Sequence, residues 1–105
     1  MIAKSDLSMS GTSYHQINVL ATLNELKALF GEPDSFDKSF YNFRCEIITI
    51  DADGDSMKEP FTLYDYKEVR PPQDEELFEW HIGTHEKSVA AKIKLELEKS
   101  LEKIR

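Results

Sequence analysis

Nowhere in this chain do enough apolar residues follow one another to cross a bilayer, which takes about 20, so no membrane span is expected. The first residues, Met1 to Gly11, lack the basic start and apolar run of a secretory signal. A single cysteine, Cys45, excludes an internal disulfide and fits a reducing compartment. A cytoplasmic location follows as the expectation. Basic residues are outnumbered, with 13 Lys and Arg against 20 Asp and Glu, for a net charge of -7 at pH 7. Duplex DNA and anionic membranes both demand a basic footprint, so neither is expected as a direct ligand. A basic partner surface is compatible with this balance. Also missing are a nucleophile motif, a phosphate-binding glycine loop and paired carboxylates at a forced spacing. No catalysis and no cofactor are therefore expected.

What is present suits a folded domain. The 105 residues are 40% hydrophobic and 10% aromatic, enough for a core of their own. One domain, 1–105, is expected. Residues Ser5 to Ser13 are small and polar, so 1–13 reads as a flexible arm or one that docks late. His15 to Leu20 alternates and predicts a first strand. Thr22 and Glu25 have capping-box spacing, Leu23, Leu26 and Phe30 follow at helical spacing, and Gly31 and Pro33 end the segment. These signals predict a helix over 23–30. Asp34 to Ser39 reads as a loop. Tyr41 to Ile50 alternates most clearly, with Phe43, Cys45 and Ile47 on one side and Arg44 and Glu46 on the other. Asp51 to Pro60 is an acidic turn around Asp53-Gly54, and Phe61 to Tyr66 is the return strand. Val69 to Glu76 is a loop, and Leu77 to Gly83 a further strand. Thr84 is placed to cap a last helix over 85–104, with Ala90, Ile93, Leu97, Leu101 and Ile104 as its apolar stripe.

The expected fold is α+β in the order β-α-β-β-β-α. A four-stranded, mainly antiparallel sheet, paired most simply as a meander, carries both helices on one face. Phe43, Cys45, Ile47, Leu23, Leu26, Ile93 and Leu97 should be buried, with Phe78 or Trp80.

Two constellations resemble metal sites and fail on spacing. Asp51, Asp53 and Asp55 suggest a calcium loop, but Gly54 is fourth instead of sixth and Thr62 stands where the twelfth-position Glu belongs. His81 and His85 are separated by a strand-to-helix junction, so they cannot share one helix face around zinc. No metal is expected. The residues best placed to meet a partner are Arg44, Glu46, Tyr64, Tyr66, Glu79 and His81 on strands, and Asp74, Glu75 and Glu76 in an acidic loop. A second acidic loop, Asp51–Glu59, lies between strands. Leu95 falls opposite the apolar stripe of the last helix and predicts a homodimer seam.

Leu26 to Pro33 (LKALFGEP), Phe61 to Lys67 (FTLYDYK) and Trp80 to Gly83 (WHIG), with the Cys45 strand and the Asp-Gly hairpin, resemble a group of small proteins from tailed bacteriophages. In that group the last motif ends in two glycines, and here Thr84 replaces the second. The resemblance carries no enzymatic activity. It implies an accessory phage product in the host cytosol that binds a host protein, such as a defence nuclease, and inhibits or redirects it. A rival reading is a protein that sequesters a nucleotide signal. Arg44, Lys67, Arg70 and the start of the last helix would then meet phosphate.

Overall fold

A computed structural model describes residues 1–36, 39–65 and 70–105. The elements are β1 (Ile2–Lys4), β2 (Ser13–Ala21), α1 (Leu23–Phe30), β3 (Asp34–Phe36), β4 (Ser39–Ile50), β5 (Ser56–Tyr64), β6 (Phe78–Thr84) and α2 (Lys87–Ile104). The class is α+β, with one antiparallel sheet and two helices. Among the described residues no helix is long and apolar enough to cross a membrane.

The four expected strands are present, joined by two short ones. β1 pairs with β4 at Ile2↔Ile47 and Lys4↔Cys45, and β3 folds back on the start of β4 at Asp34↔Asn42. Three-residue strands are too short to display a period, so only their partner reveals them. The sheet order is β1–β4–β5–β6–β2, with β3 also on β4. β4, β5 and β6 form the expected meander, but β2 joins β6 and not β4. The reason lies in the helices. α1 packs against β1 and β4, and α2 packs against β2 and β6, so each covers half of the sheet.

Alternation then sorts the side chains. Val19, Phe43, Cys45, Ile47, Phe61, Leu63, Trp80 and Ile82 all point to the helix side and join Leu23, Leu26, Phe30, Ile93 and Leu97 in one core. Of Phe78 and Trp80, the indole is the fully buried ring. It donates to the Ala21 carbonyl at 3.0 Å and meets Phe43 and Phe78 edge-on. That hydrogen bond satisfies the one polar atom of an otherwise apolar ring.

Several boundaries move for physical reasons. β5 begins at Ser56, inside the expected turn, and contains Pro60. Proline removes a donor and is tolerated where one strand edge is free; β5 meets β6 only at Thr62–Tyr64. α2 begins at Lys87, not residue 85. Thr84 is the last residue of β6, and its hydroxyl donates to the Glu86 carbonyl instead of accepting from the helix. The capping box of α1 is as expected, with Thr22 accepting from the Glu25 amide and Glu25 accepting from the Thr22 amide.

The segment expected as an arm is tied down. β1 lies at one edge of the sheet and β2 at the other, so residues 5–12 must cross between them. They cross the helix-free face as a strap. Ser5 donates its amide to the Arg44 carbonyl, and the Arg44 guanidinium donates to the Leu7 carbonyl, both at 3.0 Å. Met9 and Thr12 then line an open pocket of about 290 Å³ together with Asn42, Thr62, Tyr64 and Gly83. Sequence could not show this, because the strap contributes backbone and not an apolar pattern.

Gly83 is needed for close approach. A Cβ built there would lie 2.6 Å from the Thr62 hydroxyl on the neighbouring strand. Gly83→Ala is expected to destabilise the fold by about 1–3 kcal/mol through overpacking. Adding Thr62→Ala should recover part of that loss. Urea melts of the single and double variants check this; a Gly83→Ala protein as stable as the wild type contradicts the packing argument.

Candidate functional site

The pairing register brings Arg44, Glu46, Tyr64, Glu79 and His81 to the helix-free face. Tyr64 stands opposite both Asn42 and His81, Arg44 opposite Thr62, and Glu79 opposite Leu20. Their side chains do different work. Arg44 holds the strap through Leu7. Glu46 is buried, 8% exposed, with Lys58 at 3.7 Å. These two are internal ties rather than groups offered to a partner.

His81, Tyr64 and Glu79 belong to a continuous polar-aromatic row. Tyr14 stacks on His81 with ring centroids 3.9 Å apart and planes within 9°, and Tyr64 meets the same imidazole edge-on at 5.4 Å. The Tyr14 hydroxyl donates to Asn18 at 2.8 Å, and Asn18 donates on to Glu79 at 3.3 Å. A bulge makes the row possible. His15 to Ile17 lie opposite Ile82 alone, so Tyr14, opposite Gly83, and Asn18, opposite His81, come to neighbouring levels of the same face. Gln16 absorbs the kink with φ 64, the one non-glycine among the described residues at positive φ. Sequence reading missed Tyr14, since it placed the strand start at His15. The available signal was that Tyr14 keeps the even phase of Asn18 and Leu20.

The acidic loop before β6 is tied to its neighbours at the surface. The Asp74 carbonyl accepts from the Asn24 amide at 3.1 Å, and the Glu75 carboxylate accepts from the Asn24 side chain, so the loop fastens the first turn of α1. Glu76 receives both Arg70 nitrogens, at 2.7 and 3.0 Å, and the Gln73 amide at 3.1 Å. The Arg70 hydrogen bonds, helped by the Gln73 amide, hold its carboxyl down at about 2. Tyr66 and Lys67 lie outside the described residues. Asp65, which sequence reading passed over, is fully buried and accepts from the amides of Phe40 and Tyr41 at 3.0 and 2.7 Å. It pins the start of β4 beside the end of β5.

The other acidic loop is built differently. The β4–β5 ladder continues to Ile50↔Ser56, and residues 50–58 are all exposed. Asp51 accepts from the amides of Asp53 and Asp55 at 3.0 and 2.9 Å, and Gly54 turns the chain at φ 85. Asp51 thus forms the turn, while Asp53 and Asp55 face solvent. Two apolar side chains stand beside them, Ile50 at 74% and Met57 at 54% exposure. By alternation Ile50 lies on the helix-free side and Met57 on the other.

No protein-family model matches the chain, and neither a curated protein nor a solved structure matches it.

Chemistry at single residues is limited. Among the described residues no group of three or more His, Cys, Asp or Glu is placed to hold a metal ion. His81 is stacked in the aromatic row, whereas the His85 ring lies against Gly11 in the strap. Burial pushes the Cys45 thiol well above its ordinary pKa, so it packs as a neutral side chain.

Glu76 gives a pH signature for the loop. Its folded pKa is depressed from 4.5 to about 2. Its contribution is therefore complete above the unfolded value and is lost as pH falls from 4.5 towards 2. Solvent screens this exposed pair, so the stability effect is small. Carbon NMR of the side-chain carboxyls should show one glutamate titrating near the bottom of this range. Arg70→Gln should return it most of the way to the ordinary value; no movement means that Arg70 is not the cause.

Proposed function

We propose that this chain is a non-catalytic binding protein that docks on a basic surface of a host protein and inhibits or redirects it, with the β4–β5 hairpin leading. The observation that carries the reading is the hairpin tip, where Asp53 and Asp55 flank the exposed Ile50 and Met57. Isolated exposed apolar residues are common. Here two stand on opposite faces of one ladder beyond the helix-covered sheet, among carboxylates. Apolar side chains supply contact area on docking, and the carboxylates steer a basic partner and set register. The net charge of -7 favours such a partner and opposes nucleic acid. The phage resemblance supports a host target and an anti-defence role in the host cytosol. It rests on Leu26–Pro33, Phe61–Lys67 and Trp80–Gly83.

The geometry favours the hairpin over the loop at Asp74–Glu79, because Glu75 and Glu76 are held by Asn24 and Arg70. It lends the nucleotide reading no support. Arg44 is directed to Leu7, Arg70 to Glu76, and α2 opens at Glu86, a carboxylate that repels phosphate.

Capture from bacterial lysate by the immobilised chain, followed by binding measurements on the protein recovered, tests the reading. Asp53→Lys with Asp55→Lys is expected to weaken association at least about tenfold and flatten its salt dependence. Ile50→Ser is expected to cost about 1–2 kcal/mol at fixed salt. Affinity that ignores all three changes removes the hairpin from the interface. Thermal stabilisation by a nucleotide panel, with nothing captured, overturns the protein-binding reading itself.

A further inference from the structure

A groove of about 910 Å³ runs along the free edge of β2, walled on its other side by α2. An edge strand with an open ladder invites another strand, but this edge is closed at both ends. Upstream, the bulge at Gln16 breaks the ladder. Downstream, the Leu20 carbonyl accepts from Arg105 at 3.1 Å. Arg105 is itself fixed by Glu25, at 2.6 and 3.2 Å, a contact that raises its pKa and lowers that of the carboxyl. Strands alternate in the side to which they direct their backbone groups. Of β2 after the bulge, only Asn18 and the Leu20 amide thus remain to receive a partner strand. Whatever fills the groove meets α2 instead.

The α2 wall has a self-complementary character. Leu95 is 62% exposed and stands near the midpoint of Lys87–Ile104, with Ala91 one turn before it. Lys94 and Glu98 flank it on the groove side. A two-fold axis across the middle of α2 reverses the second helix, which sets Lys94 of each copy beside Glu98 of the other and Leu95 against Leu95. An isologous interface needs this self-matching. Charge also selects the occupant. A molecule of net charge -7 repels its own copy over most of its surface, but along α2 the groove sets Lys94 one turn from Glu98; of its other charged groups, Glu79 and Glu102 are acidic and Arg105 is held by Glu25. A basic partner gains more at the hairpin, which lies on β4 and β5, on the other side of β6.

We infer that the β2–α2 groove is the contact between two copies of this chain, packed helix against helix about a two-fold axis at Leu95. Stable interfaces bury roughly 1,000 Å² or more, and this narrow wall predicts a weak, salt-sensitive dimer that leaves both hairpins free. The inference is independent of the hairpin reading. Sedimentation equilibrium of the full chain up to high micromolar concentration, at low and physiological salt, tests it. Leu95→Glu is expected to weaken association at least tenfold while leaving the thermal melt unchanged, since Leu95 is outside the core. Lys94→Glu and Glu98→Lys should each weaken self-association several-fold. Mixing those two variants should restore a dimer, because the reversed charges then face each other across the axis. Pairs within one helix cannot produce that result. A wild type that stays monomeric, a dimer indifferent to Leu95→Glu, or charge variants that do not rescue each other on mixing overturns the proposal.

Discussion

Everything in this molecule is arranged around a sheet that is apolar on one side only. Side chains alternate along a strand, so committing Phe43, Cys45, Ile47, Phe61, Leu63, Trp80 and Ile82 to one layer commits their neighbours to the other. Trp80 fixes that choice. A one-residue slip in β6 would carry the indole out of contact with Phe43 and separate its N–H from the Ala21 carbonyl. Two helices, each over half of the sheet, then close the apolar side. The opposite side is left to polar and aromatic groups, and a strap of backbone crosses it.

Several charged groups among the described residues serve the fold. Arg44 fastens the strap, Glu46 meets Lys58, Glu76 meets Arg70, and buried Asp65 holds two amides of β4. A carboxylate that accepts backbone N–H groups or meets a guanidinium is already satisfied, and docking a partner on it would first break those bonds. Subtracting the internal ties moves attention to places where charge stands next to exposed apolar side chains. The hairpin beyond Ile48 is one and the outer wall of α2 is another. They differ in balance. The first is anionic and suits a basic surface, while the second carries both signs and suits its own copy.

The two surfaces also differ in what keeps them from misuse. The β2 edge is the long free edge of the sheet, the kind that templates aggregation. The bulge at Gln16 and the Arg105 contact to Leu20 blunt it. The hairpin carries its aspartates at the tip, where like charges separate neighbouring copies. Both devices use backbone groups or charge at positions of low burial, so neither disturbs the core.

What the sequence determined by itself was local. Period-two alternation in Tyr41–Ile50 and around Trp80, the Thr22–Glu25 box and the stripe of α2 each announce an element, because the signal lies within a few turns or pleats of chain. The sidedness of Arg44, Tyr64 and His81 followed from the same alternation. Only the tertiary structure decided which strands are neighbours, and that choice set the rest. Placing β1 and β2 at opposite edges turned a polar arm into a strap, and placing β2 beside β6 stacked Tyr14 on His81. It also gave Glu75 and Glu76 surface partners and left Asp53 and Asp55 facing solvent, although the two acidic loops look alike in one dimension. Their partners, Asn24 and Arg70, are set by how α1 docks and how the loop folds. A charge pattern records how many carboxylates a loop has, but which of them are satisfied depends on donors that arrive from elsewhere in the chain.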